Sequence, residues 1–184
     1  MKISIKVFIT SVAVLCTCNY SIGQDSCQVK LVKEYTEKYS GSYTLSKKEE
    51  LLGKEILNDY STIHFRDKGL KRVTSLVFAS RKQIAAYTRL GFIATIYQYT
   101  SNSDASEKFK ELATVKQTHD EAILSKDWNY LVLSQNFILR IQGDCSYSEE
   151  NWNNLKDIFT KANIKVMGKA GKDIIQCQCG GYCY

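Results

Sequence analysis

The sequence predicts an α+β protein, a two-layer sandwich in which a mainly antiparallel sheet is covered by helices. Two observations carry this. Phe92–Thr100, Tyr130–Leu133 and Phe137–Gln142 are rich in β-branched and aromatic residues and partly alternate in polarity, as half-buried strands do. Ala105, Phe109, Leu112 and Ala113, and then Trp152, Leu155, Ile158, Phe159 and Ala162, recur instead at helical spacing. The resulting C-terminal order of strand, helix, strand, strand, helix buries the apolar face of one antiparallel sheet beneath two helices.

Taken in order, Cys27–Tyr39 reads as a first amphipathic helix, with Val29, Val32, Tyr35 and Tyr39 on one side and lysines and glutamates on the other. This aromatic row, continued by Tyr43, reads as a core face rather than a sugar-gripping surface. Ser46-Lys47-Lys48-Glu49 has the form of a capping box, predicting a second helix to about Tyr60 with Leu52, Ile56 and Tyr60 inward. Val73–Ser80 is a candidate strand. Lys82–Leu90 reads as a short helix ended by Gly91 at C′, or, in its Ile84–Leu90 part, as a strand in a hairpin with the next one. Asp104 is the expected N-cap of the third helix, with Glu107 three residues later. Ser134-Gln135-Asn136 joins the last two strands, the second of which sets Phe137, Leu139 and Ile141 against Ile138, Arg140 and Gln142. Ser146 or Ser148 caps the final helix.

The first 23 residues place the protein. Lys2 and Lys6, the apolar run Val7–Leu15 and the small residues of Ser21-Ile22-Gly23 have the pattern of a signal peptide cleaved before Gln24. The run is far short of the ~20 residues of a spanning helix, so no transmembrane helix is expected in the mature chain. Lipidation at Cys16 or Cys18 is the alternative, and Leu15 and Thr17 fit poorly in front of a lipidated cysteine. The compartment is therefore secreted or periplasmic, with a lipid anchor as the alternative.

Removing residues 1–23 from 184 leaves 161, expected as a single domain over 24–184 with a Cys-rich tail from 168. Lys2 and Lys6 lie in the leader, so 23 basic and 19 acidic residues remain, a mild +4. The charges interleave as on solvated helix faces, without the one-sided stripe of a nucleic-acid binder. Proline is absent, against a usual ~5%, so turns rely on Gly, Asn, Asp and Ser. The mature chain has no Asn-x-Ser/Thr triplet. With abundant Lys, Ile, Tyr and Asn, this composition suggests a bacterial origin.

Cys27, Cys145, Cys177, Cys179 and Cys183 are disulfide candidates in an oxidising compartment, and an odd number leaves one thiol over. Cys177-x-Cys179-x-x-x-Cys183 also has the softness to take Cu(I) or Zn(II), but no fourth ligand lies nearby. A stapled tail, through Cys179 with Cys183 or through Cys27 or Cys145, is the simpler expectation. A thioredoxin-like redox enzyme fits worse, since there is no Cys-x-x-Cys and no proline to supply the cis-proline of such sites. His64 lies in a strand-like segment and His119 beside Asp120 and Glu121 in a polar turn. Glu49-Glu50 and Glu149-Glu150 are expected at helix N-termini, where the dipole favours negative charge without catalysis. There is no phosphate loop, nucleophile elbow or zincin helix.

The expectation is thus an exported binding or accessory domain with no catalytic residues and no cofactor, its partner an unknown protein or small ligand. The alternative is a soft-metal or thiol-redox protein using the tail. N-terminal sequencing of the mature protein is expected to begin at Gln24. An intact Met1 on a cytosolic protein would overturn the export reading, and a diacylglycerol on Cys18 would make the chain a lipoprotein.

Overall fold

A computed structural model describes residues 29, 32–33, 36, 43–59, 62, 65–81, 91–115, 128–145, 150, 152–157, 159 and 174–177. Six strands form one sheet: β1 (Tyr43–Leu52), β2 (Leu70–Ser80), β3 (Gly91–Tyr99), β4 (Trp128–Ser134), β5 (Phe137–Gly143) and β6 (Ile174–Cys177). Their spatial order is β1-β2-β3-β5-β4-β6, every neighbour antiparallel. Two helices join them, α1 (Lys54–Asn58) and α2 (Asn102–Val115). Val29, Val32, Lys33 and Thr36 are helical, as are Glu150, 152–157 and Phe159.

The sheet is apolar on both faces, a consequence of strand alternation. Phe92, Ala94 and Ile96 of β3, Tyr130 and Val132 of β4 and Phe137, Leu139 and Ile141 of β5 join Val32, Trp152, Leu155 and Phe159 in one core. Tyr97, Tyr99, Leu131, Ile138 and Ile175 join Ala105, Phe109 and Leu112 of α2, with Ile56 and Phe65, in a second. The α+β class and the antiparallel sheet are as expected. Helical residues pack on each side, because the inner strands are too uniformly apolar to leave a face to water. Stacking of Trp128 on Trp152 (5.5 Å) and the edge contact of Phe92 with Phe159 (5.8 Å) fix the first core.

Residues 43–52 depart most from expectation. The segment read as the capped start of a helix is the edge strand β1, and only Lys54–Asn58 is helical. Glu49 and Glu50 accordingly stand on a strand rather than at a helix N-terminus. The cause is tertiary: β1 pairs with β2 from Tyr43↔Ser80 to Leu52↔Arg72, and the Ser46 hydroxyl donates to the Val77 carbonyl (2.9 Å) across a bulge instead of capping amides. Gly53, at φ 52°, makes the turn from β1 into α1.

Gly91 opens β3 opposite Ala79. A Cβ there would lie 2.5 Å from the Phe78 carbonyl oxygen, so glycine permits the close pairing. α2 starts two residues before the expected cap. Ser101 is its N-cap, accepting from the Asp104 amide (3.1 Å) while its hydroxyl donates to the Asp104 carboxylate (2.8 Å). β4 and β5 form a two-residue hairpin through Gln135, at φ 51°, and Asn136, which is tied to Tyr99 by Tyr99 N–H to Asn136 O (2.7 Å) and Asn136 Nδ2 to Tyr99 O (3.1 Å). The expectations at residues 1–28, 82–90 and 146–149, and those for Tyr35, Tyr39 and Tyr60, lie outside the described residues.

Leu155 is 2 % exposed within the first core. Leu155→Ala is expected to cost about 2–5 kcal/mol in chemical denaturation. A loss under about 0.5 kcal/mol would place the side chain at the surface instead.

Candidate functional site

On the α2 side of the sheet, β-pairing lines up side chains in transverse rows. One row runs Glu49, Ser75, Thr95, Arg140, Leu131, Ile175; the next runs Lys47, Val77, Ile93, Gln142, Asn129, with Cys177 as the last register position. Polar residues therefore interrupt the apolar face. Arg140 is the centre of the interruption, a cation only 7 % exposed.

Each neighbour of Arg140 is placed by a separate element. Asn129, on β4, is its diagonal cross-strand neighbour, and the Arg140 Nε–H donates to Asn129 Oδ1 (2.8 Å). Thr95 is its direct partner on β3. Phe65 comes from the segment before β2, and its ring lies 5.7 Å from the guanidinium carbon. That ring also stacks on Tyr97, centroids 3.7 Å apart and planes within 6°. Arg140 and Thr95 both act on the Tyr97 hydroxyl electrostatically.

The segment bearing Phe65 is held by knots of its own. The Thr62 hydroxyl donates to the carbonyls of Ile56 (2.6 Å) and Asp59 (2.8 Å). Arg66 donates to Thr62 Oγ1 (3.1 Å) and the Asp59 carbonyl (2.6 Å), and the Tyr99 hydroxyl donates to the Phe65 carbonyl (3.0 Å). A ring positioned by this many bonds is a preorganised wall.

Burial raises the Tyr97 hydroxyl above its ordinary value; the charge and hydrogen bond of Arg140 and the bond of Thr95 oppose that rise, and Asp59 adds to it. Tyr99 is raised too, by burial first and then by Tyr97, Asp67 and Glu111. Both hydroxyls are thus protonated at neutral pH, and a guanidinium is a fixed cation. What the cluster offers is oriented donors and charge, not a group that exchanges protons near neutrality.

Of the residues singled out in the sequence, Cys177 ends β6, in register with Asn129, and its side chain lies outside the described residues. Cys145 follows β5 and is disulfide-bonded, to a partner side chain outside them. Cys27, Cys179, Cys183, His64 and His119 also fall outside. Among the described residues, no group of three or more His, Cys, Asp or Glu side chains could hold a metal, and no helix is long and apolar enough to cross a membrane. No known protein family, curated protein or solved structure matches the chain.

Alternation along β5 sets Arg140 on one face with Ile138 and Gln142 and does not mark it as a site residue. The available signal was the run Phe137-Ile138-Leu139-Arg140-Ile141, apolar on both faces apart from the arginine. Such a run marks an inner strand, and a charge within it needs partners.

Raised tyrosines give a pH expectation. Each favours the neutral form in the fold, so its contribution is fully present below the unfolded tyrosine value of ~10 and is lost as pH rises above it. Denaturation midpoints should fall progressively above pH ~10, with Tyr97 and Tyr99 absent from the tyrosinate absorbance of the folded protein. Titration of all 12 tyrosines at the ordinary value without unfolding would contradict this.

Proposed function

We propose that the protein is an exported, non-enzymatic binding or accessory domain of the cell envelope or extracellular space, and that it recognises a ligand on the α2 side of its sheet. One observation carries the reading: an arginine 7 % exposed, held by Asn129 and faced by the Phe65 ring, which stacks on Tyr97. Fixed donors beside rigid aromatic walls recognise a partner by shape and charge. The leader pattern and the disulfide at Cys145 support export, since such bonds persist in oxidising compartments. The three tail cysteines leave soft-metal binding as the rival reading.

A thermal-shift screen of the mature protein tests the proposal, using panels of organic acids, amino acids, sugars and nucleotides, followed by mass spectrometry of the recovered compounds. The expected result is one class that raises the midpoint and returns chemically unchanged. A class that stabilises the protein and returns transformed would make it an enzyme. No response from any organic panel, combined with uptake of about one Cu(I) or Zn(II) that Cys179→Ser abolishes, would replace the reading with the metal one.

A further inference from the structure

We infer that the connection between β1 and β2 is a hinged cap over Arg140, seated in the structure and lifted to admit a ligand. The inference rests on the binding reading above and supplies the route to a buried cation which that reading needs.

The connection rises from a closed base. β1 and β2 pair as far as Leu52↔Arg72, so the residues beyond, described at 53–59, 62 and 65–69, form an excursion that can move while the ladder stays intact. Two paired strands need only a short turn between them. This chain instead lays Ile56 and Phe65, 3 % and 1 % exposed, into the second core, where the Phe65 ring faces the guanidinium and stacks on Tyr97. Beneath the cap lies a cation. Among the described residues Asp59, Asp67 and Glu111 act on Tyr97 or Tyr99 but form no ion pair with Arg140. A charge buried without such a partner is a poor way to stabilise a core, and it is accounted for where its cover opens.

Internal bonds let the connection move as one piece. The Asp59 amide donates to the Glu55 carbonyl (3.1 Å), the Thr62 amide to the Asp59 carbonyl (3.2 Å), and the Phe65 and Arg66 amides to the Thr62 carbonyl (2.8 and 3.0 Å). These bonds, like the Thr62 and Arg66 side-chain knots, survive when the unit lifts. Its seat is the Ile56 and Phe65 side chains and the bond from the Tyr99 hydroxyl to the Phe65 carbonyl. The two ends differ. Gly53, at φ 52°, has nothing within 4 Å of where a Cβ would stand, so its backbone is unobstructed. Gly69 is fixed, its carbonyl accepting from the Thr100 amide (2.7 Å) and hydroxyl (3.1 Å), with the Asp104 side chain 2.7 Å from its Cβ position. Gly53 is therefore the pivot and Gly69 the anchor.

The test is labelling of the mature chain with phenylglyoxal, an arginine-selective reagent, across sub-denaturing urea. Arg140 is followed by peptide mass, and the β5 amides of Leu139 and Ile141 by hydrogen exchange. Arg140 is expected to label through an opening that depends weakly on urea, while the β5 amides exchange through global unfolding that depends on it steeply. Leu155→Ala, in the opposite core, should speed β5 exchange at least about thirtyfold and leave Arg140 labelling unchanged. Tyr99→Phe removes the bond to the Phe65 carbonyl and should speed Arg140 labelling about fivefold. Labelling that tracks β5 exchange in urea and in Leu155→Ala, labelling as fast as that of the exposed Arg81, or no change in Tyr99→Phe would overturn the inference. A ligand from the thermal-shift screen, with Arg140 labelled only through global unfolding, would remove the cap and leave the binding reading standing; cap opening with no ligand class would do the reverse.

Discussion

Burial of both faces of one antiparallel sheet is the constraint on which the structure depends. β3, β5 and β4 lie inside the sheet, and each carries core side chains on both of its faces. Two cores built on the same backbone share their strands, and a change of register in β5 would exchange Phe137, Leu139 and Ile141 with Ile138 and Arg140 and so disrupt both at once. The hairpin turn at Gln135-Asn136 and its bonds to Tyr99 pin that register from one end. The stacked Trp128 and Trp152 hold the other.

The same constraint explains what the sequence disclosed and what it concealed. Strands at 92–99, 130–133 and 137–142, the apolar side of α2 and the Trp152-Leu155-Phe159 stripe are legible because their periodicity is local and tertiary packing agrees with it. Tyr43–Leu52 is not legible. Its serine, lysines and glutamates spell a helix start, and only pairing with β2, about 30 positions on, turns them into a strand. Propensity is a weak prior of this kind, and a long antiparallel partner outweighs it. The start of α2 was misplaced for a smaller reason: Ser101 and Asp104 both suit a cap, and only the observed bonds show that serine caps while aspartate answers from the third position.

Arg140 shows how a site can hide in such a pattern. Alternation within β5 assigns it correctly to a face, but not to a buried one, since burial depends on α2 and on the Phe65 segment, neither of which is adjacent in sequence. Asn129 and Thr95 likewise carry no local mark; pairing register alone brings them beside the guanidinium. The cysteine tail, by contrast, was the loudest signal in the sequence. β6 brings Cys177 to the outer side of β4 at Asn129, the residue that accepts from Arg140.

Edges and faces divide the remaining roles. β1 is a ten-residue edge strand, long enough to invite pairing with another chain. It carries Lys47, Lys48, Glu49 and Glu50 in sequence, so charged side chains point to both sides of the strand, and the bulge after Leu45 breaks its regularity. Both are devices that discourage strand addition. At the opposite margin of the described sheet, β6 comprises the four residues Ile174–Cys177. On the α2 side the described residues concentrate fixed charge, rigid aromatic walls and half-exposed aliphatic surface within two adjacent rows. That coincidence, more than any single residue, is the physical argument for placing recognition there.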